Sequence, residues 1–363
     1  MQKTTATTIS PYQYFILIFF FIIGNSILTA PSLLVSTAKQ QGWIPGILSL
    51  VIGVLLAFLY TKIADRQKRT PFIAFISSLY GKWIALFFTL HYLFFFCTLT
   101  ALVLRSMGDF VTTQIITEAP IISTHIVFMI LVVYGVKLGL PTICRFGETI
   151  FPIFLVLVLV FFFFVSTKIE PENFLPFFPF DYKSIAKATI TFSGFPFFEL
   201  CTFLVIQPYV VQKKPLKKVL PLGTLLGGMV LILLTLLCIL VLTPELTSSC
   251  FYPSYAMAQK IRVTEFIERT ELVMAVLWFI SLFFKIAISF YNSVSLLGTL
   301  FAVQKTNTMV IPLASIIIIY SMVLSPNDAY IPLNAKVWPY YAVFSGLIFP
   351  CLLLLRKPKA SKN

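Results

Sequence analysis

Long apolar segments recur along almost the whole chain and are separated by short polar stretches. A helix needs about 20 mostly apolar residues to cross a membrane. Ten segments meet this requirement, and they cover about 11–36, 42–63, 81–112, 120–137, 147–166, 184–209, 219–242, 270–303, 309–325 and 336–355. The pattern therefore predicts an all-α membrane protein with about ten transmembrane helices.

The ten predicted helices divide into two groups of five, about 11–166 and about 184–355, within a single polytopic membrane domain covering 1–363. An odd number of helices in each group gives the groups opposite orientations, which is typical of an inverted repeat. The first helix of each group is interrupted near its middle. Transporters with this architecture bind their substrates at such interruptions.

The first interruption consists of Gly24, Asn25 and Ser26. Glycine has little helical preference, and Asn and Ser side chains compete with the helical hydrogen bonds. Unwinding there would leave free carbonyl groups that attract a cation and free N–H groups that attract a carboxylate. The alternative interpretation is a helix that is kinked for packing at Gly24 and Pro31.

The second interruption lies at Ser193, Gly194 and Pro196, shortly before Glu199. Proline removes one backbone donor and clashes with the preceding turn, while glycine allows an abrupt change of backbone direction. Because the two interruptions occupy corresponding positions in the two groups, the pattern favours a substrate site over two independent packing kinks.

Two isolated charges, Glu199 and Lys285, lie near the middle of predicted helices. A charged side chain at that depth costs about 2.5–3.5 kcal/mol. Either residue could face a ligand, the two could form a structural ion pair, or Lys285 could extend towards the membrane surface. Arg105 and Asp109 are i,i+4 neighbours in the third helix, and we expect them to form a local helix pair.

The composition supports the membrane assignment, with 59% hydrophobic residues, 11% charged residues and a mean hydropathy of +0.96. Soluble domains contain about 25% charged residues. The net charge of +14 does not require a nucleic-acid partner, because 16 of the Lys and Arg residues fall on one predicted side of the membrane and 8 on the other. The positive-inside rule then predicts that both termini are cytoplasmic.

The chain lacks the sequence motifs HExxH, GxSxG and GxxxxGK[ST], so we expect no enzymatic activity. The two histidines, His91 and His125, lie in different predicted helices without a nearby cysteine or acidic cluster. The six cysteines are scattered singly without metal-ligand spacing. We therefore expect no metal site and no cofactor.

Several segments, in this order and spacing, resemble the GerAB-type spore germination proteins, the B subunits of germinant receptors in the amino acid-polyamine-organocation transporter superfamily. They are GNSILTAP from Gly24, LYGKWIA from Leu79, LRSMGDF from Leu104, SGFPFFEL around Glu199, the lysines at 213 and 217, and ERTELVMAVLW leading into FFK between Glu268 and Lys285. The resemblance covers nearly the whole chain.

The resemblance implies a LeuT-type inverted 5+5 repeat with broken helices 1 and 6. It also implies a nutrient sensor in the spore inner membrane that works with germinant receptor A and C subunits and binds a small molecule, an amino acid or less often a sugar or nucleoside. Helices 1 and 6 would surround the ligand, and helices 3 and 8 would form the facing wall. The ligand-binding residues carried over on this basis are Gly24, Asn25, Ser26, Ser193, Gly194 and Glu199, with Thr98, Leu102, Lys285 and Ser289 in the wall.

The sequence departs from several proton-coupled relatives, which carry a lysine in the fifth helix, because residues 148–167 contain none. Proton coupling by that route is therefore not expected. Three functions stay open: a receptor subunit that senses a ligand, an amino acid permease, and a water or ion conduit opened by a ligand. The residues alone do not separate them.

Overall fold

A computed structural model describes residues 8–175, 179–211, 216–261, 269–303, 305–327 and 330–356, so the lysine at 213 lies outside the described residues. The α-helices are α1 Pro11–Ile23, α2 Ser26–Ala38, α3 Trp43–Gln67, α4 Phe72–Tyr80, α5 Lys82–Phe110, α6 Ile121–Leu138, α7 Leu140–Ser166, α8 Tyr182–Ser193, α9 Phe203–Ile206, α10 Leu216–Leu242, α11 Pro244–Ser249, α12 Pro253–Gln259, α13 Glu271–Leu300, α14 Asn307–Leu324, α15 Tyr330–Val343 and α16 Phe349–Leu355. Short 3₁₀ segments lie at Lys39–Gln41, Pro171–Phe174, Phe198–Thr202 and Gln207–Tyr209. In the described residues the only β-type pairing is a single bridge between Ile9 and Val210.

Ten candidate membrane spans result from these elements. Nine are helical segments long and apolar enough to cross a bilayer within the described residues, and the tenth is the pair Pro11–Ile23 and Ser26–Gln41, which bends by 47°. The sixth span, Tyr182–Tyr209, combines α8 with the shorter segments that follow it. The predicted number of transmembrane helices is confirmed.

One boundary and one additional helix differ from the sequence-based expectation. The fifth span begins at Leu140 instead of near 147, because the connection from α6 is reduced to Gly139, whose φ of +91° reverses the chain. Pro141 is tolerated there, since the first turn of a helix has no hydrogen bond for it to break. The helix α4 was not expected, and its apolar face is buried through Phe72, Phe75 and Ile76.

Both described ends of the chain lie on one face of the helix bundle, which we call the terminal face. Ile9 pairs with Val210 there, and the Arg66 side chain donates a hydrogen bond to the backbone oxygen of Leu354. On the opposite face, the Gln41 side chain donates to the backbone oxygen of Pro179. The placement of both termini in the cytoplasm stays a prediction.

The centre of the bundle is formed by α1 and α13. Every residue of α1 from Ile16 to Ile23 is buried, and α10 packs closely against it. Gly223 and Gly227 of α10 permit this approach, because a Cβ atom at either position would lie only 3.0–3.1 Å from Ile18 or Ile22. Small residues at such contacts are typical of membrane helices. The outer helices expose apolar side chains, as expected for a surface in contact with lipid.

The last span contains a π-helical segment, Phe344–Ile348, between α15 and α16. The Tyr92 hydroxyl donates to the Ser345 backbone oxygen over 2.8 Å, and the Tyr60 hydroxyl donates to that of Gly346. Gly346 packs directly on the Phe198 backbone oxygen, where a Cβ atom would collide. This segment therefore joins the last span to the broken sixth span.

Candidate ligand-binding site

The first helix break lies at Gly24, between α1 and α2. Its φ of +23° is unfavourable for residues with a side chain, and a Cβ atom there would lie 2.5 Å from Lys285 Cδ and 2.8 Å from the Phe21 backbone oxygen. The backbone oxygen of Gly24 accepts a hydrogen bond from the Ser281 hydroxyl over 3.1 Å. The predicted break in the first span is confirmed.

The second break follows Ser193, where α8 ends and a turn leads into the 3₁₀ segment Phe198–Thr202. Gly194 allows close contact with the last span, because a Cβ atom there would lie 2.6 Å from Pro339 Cα. The Ser193 hydroxyl donates to the Thr189 backbone oxygen over 2.7 Å. The predicted break in the sixth span is confirmed.

A cavity of about 920 Å³ lies between α2, α5, α8 and α15, and extends from the two breaks towards the face opposite the termini. Its far end is exposed at Ser36, Lys187, Ser249 and Lys336. Its inner end is buried at Ser26, Glu199 and Lys285. The cavity is therefore a deep pocket that is open at one end, and its volume falls within the range of ligand sites, about 300–1,000 Å³.

The floor of the cavity is an ion pair between two different spans. Lys285 Nζ of α13 lies 2.5 Å from Glu199 Oε2, and each side chain is only 2% exposed. The Trp338 indole N–H donates to Glu199 Oε1 over 2.7 Å, and Lys285 Nζ also donates to the Phe195 backbone oxygen over 3.3 Å. The sequence left several arrangements of Glu199 and Lys285 open, and the structure shows the ion pair. Both partners also line the cavity, and Lys285 does not extend to the membrane surface.

The α2 wall is lined by polar side chains at helical spacing. They are Asn25, Ser26, Thr29, Ser32, Ser36 and Thr37. Asn25 Nδ2 lies 3.4 Å from the Ser106 hydroxyl of α5, whereas the buried Asn25 Oδ1 accepts no hydrogen bond from the described residues. A buried acceptor without a donor is costly. This oxygen is thus available to a ligand or water donor.

The α5 wall carries a second ion pair. Arg105 Nε donates to Asp109 Oδ1 over 2.8 Å, which confirms the expected local helix pair. The position of the pair on the cavity wall, next to Ser106, was not foreseen. The spacing of Leu102, Arg105, Ser106 and Asp109 along one helical face is the signal that could have shown it.

Half of the expected ligand-binding residues line the cavity. These are Asn25, Ser26, Leu102, Glu199 and Lys285. The other half lie outside the lining and are Gly24, Ser193, Gly194, Thr98 and Ser289.

The five residues outside the lining make contacts within the helix bundle instead. The Thr98 hydroxyl contacts the Phe94 backbone oxygen and the Tyr320 hydroxyl of α14. The Ser289 hydroxyl donates to the Lys285 backbone oxygen over 2.9 Å, so Ser289 supports the helix that carries the lysine. Gly24, Ser193 and Gly194 shape the breaks, as described above. The structure therefore places these five behind the lining, where they shape and support it.

Several lining residues were missed by the sequence analysis. The last span contributes Asn334, Trp338 and Pro339, and the short helix α11 contributes Ser248 and Ser249. No motif marks these residues, because only the packing of distant segments brings them to the cavity. In the described residues no group of three or more His, Cys, Asp or Glu side chains is placed to hold a metal ion.

The sequence pattern of a family described as spore germination protein matches residues 8–329. The chain belongs to the spore germination protein family. Spore germination protein KB of Bacillus subtilis (strain 168) is 27% identical over 357 residues, which cover 96% of this chain and 94% of that protein. Spore germination protein A2 of the same organism is 25% identical over 360 residues, covering 98% of this chain and 95% of the relative.

Two solved structures share the fold of this chain. MHP1, a nucleobase-cation-symport-1 family transporter in a closed conformation with bromovinylhydantoin bound, matches with a TM-score of 0.65 at 14% identity, covering 95% of this chain and 79% of MHP1. MhsT in complex with L-phenylalanine matches with a TM-score of 0.62 at 13% identity, covering 96% of this chain and 98% of MhsT. The predicted LeuT-type fold with broken helices 1 and 6 is confirmed. This spore germination family member is a permease-like integral membrane protein.

Proposed function

We propose that this protein is the membrane subunit of a nutrient germinant receptor and that it binds a small nutrient, an amino acid, in the cavity between the two helix breaks. The observation that carries the proposal is the buried polar floor at both breaks of a spore germination family member. The binding of L-phenylalanine by MhsT, which shares the fold, supports an amino acid as the ligand.

The two ends of an amino acid have suitable partners at the inner end of the cavity. The ammonium group can donate to Asn25 Oδ1 and to the Glu199 carboxylate, which both lie on the lining. The carboxylate can lie at the start of α2 beside Ser26, since Asn25 makes no side-chain cap there and the first N–H groups of a helix attract anions. The apolar side chains of Leu102 and Phe195 complete the pocket.

The proposed receptor contains A and C subunits and resides in the spore inner membrane with both termini of this subunit in the cytoplasm. The resemblance of the sequence to GerAB-type proteins supports the partners and the membrane. The excess of basic residues on one predicted side, 16 against 8, supports the orientation.

The proposal is tested by deleting the gene and restoring it with variants. Deletion should impair germination triggered by nutrients and leave vegetative growth and sporulation unchanged. Ser106→Leu should fill part of the cavity and remove the contact with Asn25, so the nutrient concentration for half-maximal germination should rise about tenfold or more, equivalent to about 1.4 kcal/mol of binding.

Gln114→Leu is the matched control, because Gln114 is an exposed residue just beyond the same helix and outside the cavity lining. It should restore the wild-type response at equal protein level. Normal germination of the deletion strain with every nutrient mixture would contradict the proposed receptor function.

An amino acid permease is the second candidate, because MHP1, which shares the fold, is a transporter, and MhsT, which also shares it, binds L-phenylalanine. It predicts uptake of a radiolabelled amino acid by membrane vesicles that contain the protein. A growth defect of the deletion strain on one amino acid, together with normal germination, would favour the permease over the receptor.

A further inference from the structure

The charges on the cavity wall do not balance. Its acidic side chains in the described part of the chain are Asp109 and Glu199, and each forms an ion pair with a cation of the same wall, Arg105 or Lys285. Two more cations, Lys187 and Lys336, also line the cavity. Among the described residues, the wall therefore carries two more positive than negative charges.

The excess charge is located where a ligand would enter. Lys187 on α8 and Lys336 on α15 are exposed, whereas the two ion pairs lie deeper. Neither lysine is in an ion pair with a described acidic residue. Glu245 lies on the same short helix as the lining residues Ser248 and Ser249, but outside the lining.

We propose that Lys187 and Lys336 form a cationic entrance that selects ligands by charge. The entrance concentrates molecules that carry a carboxylate, either zwitterions or anions, and disfavours cations such as polyamines and basic amino acids. A cleft lined by one sign of charge between low-dielectric walls raises the local concentration of oppositely charged molecules. The inference deepens the proposed function and rests on the cavity being the route of the ligand.

Cys250 provides a native reporter for the potential inside this entrance. It lines the same cavity, is a free thiol and is half-buried. Three of the other cysteines, Cys144, Cys201 and Cys238, are buried. The difference in modification rate between the wild-type protein and Cys250→Ser is the rate at Cys250 itself. It therefore measures the access of a reagent to the cavity.

The experiment compares two thiol reagents of similar size and opposite charge, the anionic sulfonatoethyl and the cationic trimethylammonium-ethyl methanethiosulfonates. Full-length protein is placed in nanodiscs of zwitterionic phosphatidylcholine at low ionic strength. Each rate at Cys250 is divided by the rate of the same reagent with free mercaptoethanol. We expect the anionic reagent to be favoured about tenfold, the lower end of electrostatic focusing in clefts. Salt at about 1 M should reduce the preference strongly, because the screening length falls to about 3 Å.

The variants Lys187→Gln and Lys336→Gln should each lower the preference, and the double variant should bring it close to one. Lys183→Gln is the matched control, because Lys183 is an exposed lysine on the same helix as Lys187 but does not line the cavity. It should leave the preference unchanged. The reporter and the lysines lie outside the inner binding region, so folding should be preserved in all of these variants.

The entrance is refuted if the wild-type protein reacts with both reagents at equal normalised rates, or if the double variant keeps the preference. The proposal is also refuted if Lys183→Gln lowers the preference for the anionic reagent as much as Lys187→Gln does, since general surface charge would then explain the preference. The measurement uses no nutrient, so its result does not depend on the receptor function. The receptor function is refuted by a different result, normal germination of the deletion strain.

Discussion

The ion pair between Glu199 and Lys285 gives the sharpest test of the structure. Each side chain is 2% exposed, and the nitrogen and oxygen lie 2.5 Å apart. Removing one partner of a buried ion pair leaves the other charge uncompensated and costs about 3–5 kcal/mol. We therefore expect Glu199→Gln alone, and Lys285→Met alone, to destabilise the protein by that amount.

The double variant Glu199→Gln/Lys285→Met should recover most of this loss. Replacing both members of a buried pair by neutral groups of similar volume is often neutral or stabilising. The amide oxygen introduced at position 199 would still accept the hydrogen bond of the Trp338 indole, now 2.7 Å from Glu199 Oε1. The two substitutions should thus be strongly non-additive, as expected for side chains in direct contact.

Thermal unfolding of the purified protein in detergent, followed by intrinsic fluorescence, measures the effect. A loss of about 3–5 kcal/mol should lower the midpoint of each single variant by on the order of 5 °C, allowing for the length of the chain. If both single variants unfold at the wild-type temperature, or if the double variant loses the sum of the two, the ion pair does not stabilise the floor of the cavity.

The nutrient response of the same variants separates structure from function. If Glu199 contacts the ligand, Glu199→Gln should abolish or strongly right-shift the germination response, and the stable double variant should not restore it. A double variant that recovers both stability and a normal dose-response would leave the pair with a structural role only.

Three further outcomes can be measured separately. Gly24→Ala should destabilise the protein by about 1–3 kcal/mol because the new methyl group meets Lys285 at a strained φ, whereas Gly135→Ala, whose nearest neighbour would lie at 3.4 Å, should have little effect in the same melting assay. Trp338→Phe should cost about 1.5–3 kcal/mol, since it removes a hydrogen bond to a charged group, and an unchanged melting temperature would contradict that bond. A cysteine placed at position 215 should react with an impermeant reagent only from the cytoplasmic side, and labelling from outside in intact cells would reverse the predicted topology.

The helix breaks could be predicted from the sequence because their causes are local. Gly24 and the segment from Gly194 to Pro196 contain residues that disfavour a continuous helix in any surroundings. The depth of Glu199 and Lys285 could also be read from the apolar residues around them. Their pairing was one of three alternatives that the sequence could not decide between, because it depends on the packing of the sixth and eighth spans against each other.

The composition of the cavity wall was harder to predict, since the angle at which each helix packs decides which face is turned inwards. Thr98 and Leu102 are one turn apart on α5, yet only Leu102 lines the cavity, and Thr98 contacts Tyr320 of α14. No sequence motif distinguishes Lys187 and Lys336 from the other lysines near the ends of predicted helices. Their common position at the cavity entrance results from the approach of α8 and α15, which are far apart in sequence.

The π-helical segment Phe344–Ile348 fixes the rotational register of the last span. In an α-helix each residue turns by about 100° and rises by about 1.5 Å, so one residue more or less rotates everything beyond it. The part of the last span that follows this segment in the chain is held on the terminal face. There the Tyr80 hydroxyl donates to the Leu352 backbone oxygen and Arg66 donates to that of Leu354. Because the π turn takes up one residue more than an α turn, the same residues wound as a regular α-helix would turn Trp338 by about 100° away from Glu199. The face that the last span presents to the ligand cavity is thus set by one additional residue near the other side of the membrane.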